Sequence, residues 1–593
     1  MTNRQVFWVA AATWVGAWWG AAVPVFVPVA LIPVALLWRR GSVGLVALLL
    51  FVAWHADGPA TTPGPVASGS IDTVAVLATD PRPVGRSVWA EADVDGRRMQ
   101  LRAGDAVATS LRERLAGERL AFRGRISAVA ADDLYLTRRG VEGIIQLRSV
   151  QWWQAGSPAS RLANGLRRLI SSGASSLDAD QHTLFTGFVI GDDRQQRALV
   201  TDDFRASGLG HLLAVSGSNV AFLLALLAPA LERLIFRWRV PSVFAALAFF
   251  ALVTRFEPSV LRATAMAGLA AVAAGVGRPS DGRRVLALAV AGLVLVQPGL
   301  VHQVGFQLSV AASAGILIGA APLAARIPGP RVVGTAIAVT VSAQLAVAPL
   351  LLATFGPVPL ASVPANLLAA PVAGPISAWG LTGGVVAGAL GGRAASVLHW
   401  PTSMLLGWVE FVARRAALAR FGQLGGWHLA GLAVAFALGF LARSRSIRWS
   451  VGLRRGALSL TAIALLAPAV ALTRPVYGRT VADGVVVWRA DVTVLLIERG
   501  VRSTDALAAV RQSGVESIEV LVVRDRDTNT ASLAAALAER YRIGLIVAPE
   551  GHRVPGAVAV TEPQTRVVGS WHVELEPAGT ALLGSVVVPH RIG

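Results

Sequence analysis

The sequence predicts a polytopic α-helical membrane protein of about 11–13 spans, carrying an external OB-like β-domain near its amino end and an α/β domain at its carboxy end. Three observations carry this. Of 593 residues, 54% are hydrophobic and only 15% charged, with a mean hydropathy of +0.58, a balance foreign to a water-soluble globule. One stretch near the amino end replaces apolar runs with short alternating segments. The last 118 or so residues alternate strand-like and helix-like segments.

The anchors come first, over residues 1–56. Apolar stretches run near Val6–Gly20, Ala21–Leu37 and Val43–Trp54, with Arg39 and Arg40 before the third. Basic residues stay in the cytoplasm, so the third helix is expected to exit and the next domain to lie outside. No small-residue cleavage site follows the first apolar run, so it reads as a retained anchor. The chain has no Cys, which excludes disulfides, thiolate metal sites and cysteine nucleophiles. It also has no Lys: all of its basic side chains but His are Arg, and the formal net charge is +19. Guanidinium suits phosphate, but an Arg-rich composition and cytoplasmic loops give the same excess, so the charge supports nucleic-acid handling only weakly.

Residues 57–160 open with a Pro/Gly/Thr/Ser linker and then alternate, as in Thr73–Leu77, Ser87–Ala90 and Leu120–Ile126, with Asp80-Pro81-Arg82-Pro83 and Asp95-Gly96 as turns. The length and the Gly-Arg-rich strands suit an OB-type barrel, a fold much used for single-stranded nucleic acid. Trp89, Arg123 and Arg125 are the candidate DNA contacts. Phe122 and Tyr135 are further aromatic residues that fit stacking or, more often in small barrels, the core. A β-module without a ligand is the competing reading.

Residues 182–473 are mostly apolar, with roughly ten spans interrupted by Gly and Pro. Basic loops at Arg237/Arg239, Arg278–Arg284 and Arg443–Arg455 fit one cytoplasmic face if an even number of crossings separates them, which leaves the tail outside with the β-domain. Within this region Phe204–Val220 stands apart: His211, Ser216, Ser218 and Asn219, with Gly208, Gly210 and Gly217, open a strongly apolar helix. Polar groups in hydrocarbon face a partner helix or a watery cavity. Interhelical hydrogen bonding explains them as well as a conduction path does.

Gly208-Leu209-Gly210-His211-Leu212-Leu213-Ala214-Val215-Ser216-Gly217, then Asn219-Val220, resembles the signature of the ComEC competence domain. Gly187–Asp192 resembles its lead-in. Ser259–Met266 with Arg262, Gly305-Phe306-Gln307-Leu308-Ser309, and Pro349…Phe355-Gly356…Asn366…Pro371 follow in the family's order. The resemblance implies an inner-membrane channel that passes single-stranded DNA during natural transformation. It makes His211, Ser216, Ser218, Asn219, Arg262, Gln307, Ser309 and Asn366 path candidates. It also implies an external DNA receptor and a cytoplasmic helicase-like ATPase as partners, and leaves self-association into a homo-oligomer open. The family often has His where this chain has Asn219.

The tail, residues 476–593, is where the pattern departs. Many family members carry a metallo-β-lactamase-like domain with a His-x-His-x-Asp-His run after a strand. Here Ile518–Val523 is followed by Arg524-Asp525-Arg526-Asp527-Thr528-Asn529, so the ligand positions are Arg524, Arg526, Thr528 and Asn529. A guanidinium cannot release its proton to bind a cation. The expectation is therefore no metal, no cofactor and no enzymatic activity. A membrane-tethered nuclease and a small-solute transporter are the alternatives. No Gly-rich Lys-Ser/Thr phosphate loop is present, so a DNA channel must draw its energy from a partner or from capture of the strand inside.

Overall fold

The computed structural model describes residues 3–19, 41–57, 66, 68–85, 87–130, 133, 136, 139–278, 280–419, 421–442, 447–471, 476–489, 491–498, 500, 502–569, 571–578 and 581–587. The expected second anchor, Arg39, Arg40, Tyr135 and Arg443 lie outside these. The chain forms two compact units: Met1–Gln195, His211–Thr354 and Leu367–Val409 in one, Gln196–Gly210, Phe355–Asn366 and Glu410–Gly593 in the other.

The first unit begins with two packed apolar helices, α1 (Asn3–Trp19) and α2 (Gly41–Asp57). A barrel follows: β1 (Gly69–Leu77), β2 (Arg82–Val84), β3 (Ser87–Val94), β4 (Arg97–Ala103), α3 (Asp105–Arg112), β5 (Arg119–Ala128) and β6 (Gly143–Gln154). Its strands run β1-β5-β6-β4-β3, and β1 pairs back on β3, so five strands close a ring while β2 lies outside on β3. All pairings are antiparallel except β4 with β6. Alternation drives the inward set: Val88, Ala90, Ala92 and Val94 of β3 meet Leu101, Leu120, Phe122 and Ile145 in one core. Asp95 and Gly96, with φ of 53° and 77°, make the two-residue hairpin that sets the β3–β4 register. A Cβ on Gly124 would stand 2.7 Å from the Gln146 carbonyl oxygen, so only glycine fits the bulge there.

Helices complete this unit: α4 (Pro158–Gly173), α5 (Ala179–Ile190) and, after α6 (Ala198–Ala206), which belongs to the second unit, α7 (Gly217–Glu232), α8 (Phe236–Val253), α9 (Pro258–Gly275), α10 (Gly282–Val296), α11 (Val304–Ala324, with a π turn at Ile316–Ala320) and α12 (Arg331–Phe355). After β7 (Val358–Pro359) come α13 (Ser362–Gly380), α14 (Gly383–Leu390) and α15 (Gly392–Leu418). Then β8 (Gln423–Leu424), α16 (Gly426–Leu441) and α17 (Ile447–Ala471) lead to the tail.

Among the described residues, four helical segments are long and apolar enough to cross a bilayer: α9, α11, α12 and Val451–Val470 within α17. The pair α13 and α14, bent by 45°, makes a fifth if it counts as one broken span. This is fewer than the 11–13 spans expected from hydropathy. Length accounts for part of this. Helices α1 and α2 have 17 residues each, α7 and α16 have 16 and α10 has 15, which at 1.5 Å per residue reach about 23–26 Å against a core of about 30 Å.

In the second unit the tail builds β9 (Val476–Ala482), β10 (Val485–Arg489), β11 (Thr493–Ile497), α18 (Ser503–Gln512), β12 (Ser517–Val523), α19 (Thr528–Arg540), β13 (Arg542–Pro549) and β14 (Val558–Val560). Six strands form one sheet in the order β14-β13-β12-β11-β10-β9, parallel from β11 to β14 and antiparallel from β9 to β11. Leu507, Val510, Leu533 and Leu537 of the helices cover one face. The other face carries Val494, Val520 and Val547 against Trp571, Val573 and Leu575 of a second, antiparallel sheet, β15 (Gln564–Val568), β16 (Trp571–Ala578) and β17 (Ala581–Val587).

Candidate functional site

The signature residues bring four helices of the first unit together through polar contacts. Ser216 stands at the N-cap of α7 with extended φ and ψ, as a helix start requires. Its hydroxyl meets that of Ser218 and donates to Asn219 Oδ1 at 3.4 Å. Asn219 is 1% exposed, and its Nδ2 donates to the Phe188 carbonyl near the end of α5 at 2.7 Å. On the other side Ser259 Oγ, in the first turn of α9, donates to the Val215 carbonyl at 2.7 Å. A Cβ on Gly217 would stand 2.7 Å from Arg262 Nη2, so glycine lets the guanidinium lie against the start of α7. Arg262 then hydrogen-bonds Ser313 of α11, whose hydroxyl donates in turn to the Ser309 carbonyl at 2.9 Å. The result is a polar seam running α5–α7–α9–α11 through otherwise apolar helices. Arg262 Nε, buried in it, has no hydrogen-bond partner among the described residues.

Sequence reasoning missed what fixes the α5 end of this seam. Arg167 of α4, 2% exposed, donates from Nη1 to the Ile190 carbonyl at 2.6 Å and the Val253 carbonyl at 2.8 Å, which end α5 and α8. A cation there complements the negative ends of both helix dipoles. Its Nη2 pairs with Asp80 at 2.9 Å and lies 3.5 Å from Asp192. Asp80 also pairs with Arg255 at 2.8 Å and accepts from the Ala116 amide, while Asp192 takes both arms of Arg194 at 2.7 Å. Burial alone would raise the Asp80 carboxyl, yet the guanidiniums of Arg167 and Arg255 outweigh it and hold the group well below the usual carboxylate range. Asp192 is lowered in the same way: burial opposes, and the hydrogen bonds and charge of Arg194 prevail. The hub thus ties the barrel's Asp80 turn to the helix end that Asn219 grips. Its sequence traces were Asp80-Pro81, read as a turn, and Gly191-Asp192, read as part of the lead-in. Nothing in the pattern of α4 marks Arg167 as its buried cation.

The remaining path candidates lie elsewhere. His211 is exposed in the short 3-10 turn Gly210–Leu213. Gln307 Nε2 donates to the Val301 carbonyl at 2.7 Å, and the side chain borders a cavity of about 290 Å³ otherwise lined by Trp14, Trp18, Val310, Ala311 and Leu350. Asn366 belongs to the second unit, where its Nδ2 donates to the Ser362 carbonyl at 2.7 Å and the Gly208 carbonyl at 3.3 Å. On the barrel, Trp89 points outward under the Arg102 guanidinium, 4.3 Å from its ring centroid, whereas Phe122 is core. Arg123 pairs with Asp72 at 2.6 Å, and exposed Arg125 shares a shallow polar hollow with Gly69, Ser70 and Arg148.

The tail positions at which the resemblance implies metal ligands hold Arg524, Arg526, Thr528 and Asn529. Arg524 pairs with Glu498 and donates from Nε to the Leu582 carbonyl at 3.1 Å. Asp525 accepts from the Asp527 amide at 2.7 Å and from Thr530, and exposed Arg526 lies near Gly551. Thr528 and Asn529 form the first turn of α19. Among the described residues no three His, Asp or Glu side chains are grouped to hold a cation.

Comparison with known proteins bears on the helical region. Residues 188–446 match the family described as Competence protein. The chain is 28% identical over 207 residues to the ComE operon protein 3 of Bacillus subtilis (strain 168), covering 35% of this chain and only 26% of that relative. No solved structure matches. The match spans Asn219, Arg262 and Ser313, and on it residues 188–446 form a Competence protein domain of the ComEC family.

Proposed function

We propose that this protein is a channel for uptake of single-stranded DNA in natural transformation, set in the bacterial inner membrane with both soluble domains outside. The observation that carries this is the polar seam. Four apolar helices converge on Ser216, Asn219, Arg262 and Ser313, and polar groups at membrane depth normally mark a substrate path. Arg262 offers the chemistry a phosphate backbone needs, a forked cation whose Nε has no hydrogen-bond partner among the described residues. The family match supports the substrate class.

The barrel reads as OB-like: counting its five ring strands along the chain, the order is 1-2-3-5-4, with the third and fifth parallel and α3 between the third and fourth. Its exposed Arg125 and Arg148, and Trp89 beneath Arg102, suit passing nucleotides. The tail reads as a metallo-β-lactamase-like scaffold without catalysis, because Arg524 and Arg526 replace ligands. An external DNA receptor and a cytoplasmic helicase-like ATPase complete the pathway. The test is uptake of labelled DNA by a deletion strain complemented with this gene. Restored uptake is expected from the wild type. No recovery, with the protein present in the membrane, rejects the channel.

A further inference from the structure

Helix α6 lies just ahead of the signature in sequence, yet it packs into the tail. Ala198 and Leu199 lie against the core that Leu507, Val510 and Leu537 build under the six-stranded sheet. Asp202, 1% exposed, meets Arg540 Nη1 at 2.5 Å and Arg511 Nη2 at 3.3 Å. Asp203 pairs with the other arm of Arg540, and Arg197 with Glu539. Two carboxylates and two guanidiniums removed from water are a poor source of net stability, but they accept one register only, since a shift of one residue leaves buried charges unpaired. Past α6 the chain stays fixed. Ser207 is buried, Gly208 turns with φ of 74°, its carbonyl accepts from Asn366, and a Cβ there would strike Ser362.

We propose that the Arg511–Arg540 surface of the tail is a docking site for α6, and that Asp202 and Arg540 are positioning residues that set where the signature loop begins. The positioning role rests on the channel reading above; the docking does not. It gives the tail a task that needs no metal.

The absence of Cys makes the test clean. Ala198→Cys in the otherwise intact full chain, in native membranes, reports release of α6 through its rate of maleimide labelling. Arg540→Gln, and the milder Arg511→Gln as a second variant, are expected to speed labelling about tenfold or more and to lower DNA uptake in parallel. Asp202→Cys with Arg511→Cys removes one carboxylate and one guanidinium of the same buried cluster; joining the two thiols with a short bis-maleimide is expected to restore uptake, which a merely destabilised protein would not show. Unchanged labelling in both Gln variants overturns the docking site. Faster labelling with normal uptake overturns the positioning role. If the wild type itself takes up no DNA, the channel reading and the positioning role fail together, and labelling still decides the docking.

Discussion

Asn219 ties two helices together through one side chain and lies on the proposed path. Its amide is buried and spends one donor on the Phe188 carbonyl, so Asn219→Leu leaves that carbonyl short of a partner at a cost of about 1–3 kcal/mol. Insertion should be unaffected, since apolarity rises. The purified variant should melt earlier, and DNA uptake should fall. Ser216→Leu keeps the Phe188 bond and should lower uptake with a smaller loss of stability. Normal uptake by both variants would leave these residues as helix–helix ties only. Asp80 gives a pH prediction. Its folded pKa is depressed, so its stabilising contribution is complete above the ordinary value of 3.8 and is lost as the pH falls below that toward the lowered value. Asp80→Asn should therefore destabilise the protein by about 3–5 kcal/mol at neutral pH, and the gap to wild type should narrow on acidification below about pH 4. Thermal melts at pH 7 and pH 3 measure it.

At the level of elements, strands were the most legible part. The alternation of Ser87–Ala90 and the Asp95-Gly96 turn gave β3 and its hairpin, and the strand read at Ile518–Val523 falls within β12. The closure of the barrel was harder to read, because the parallel β4–β6 pair joins strands with a helix and another strand between them. Hydropathy sums apolar residues without measuring helix length, so fewer of the described helices are long enough to cross than the spans expected from it. The seam was half legible. Polar residues in an apolar helix flagged α7, but the buried Arg167 sits in an amphipathic helix that looks ordinary. Gly217 offers a test of the α7–α9 contact. Gly217→Ala should cost about 1–3 kcal/mol by displacing Arg262, whereas Gly165→Ala, on α4 with nothing within 4 Å, should cost nothing and add up to about 1 kcal/mol. Equal melting of the two variants would argue against the close approach of Arg262.

For the whole molecule, the arrangement in the membrane has a direct test. Arg278 lies between α9 and α10 with Arg283 and Arg284 in the first turn of α10, Arg326 lies between α11 and α12 with Arg331 opening α12, and Arg454 and Arg455 lie near the start of the last span. If these share the cytoplasmic face, alternation of spans sends both soluble domains outward. Reporter fusions after Gly64 and after Gly484 should both be active outside the cytoplasm, and activity confined to the cell interior at either site would reverse the topology.

The ion pair between Asp202 and Arg540 joins residues 338 positions apart. A ribosome adding about 5–20 residues per second therefore finishes α6 roughly 20–70 s before it makes the arginine that neutralises it. During that interval a short acidic helix, bordering an apolar signature segment, has to wait without its cover. Its composition suits the wait: Thr201, Asp202, Asp203 and Arg205 keep it at home in water and discourage it from entering the bilayer with the helix that follows. On the docking proposed above, a ribosome that stops short of residue 540 leaves a chain whose apolar helices are all made but whose α6 lacks its partner.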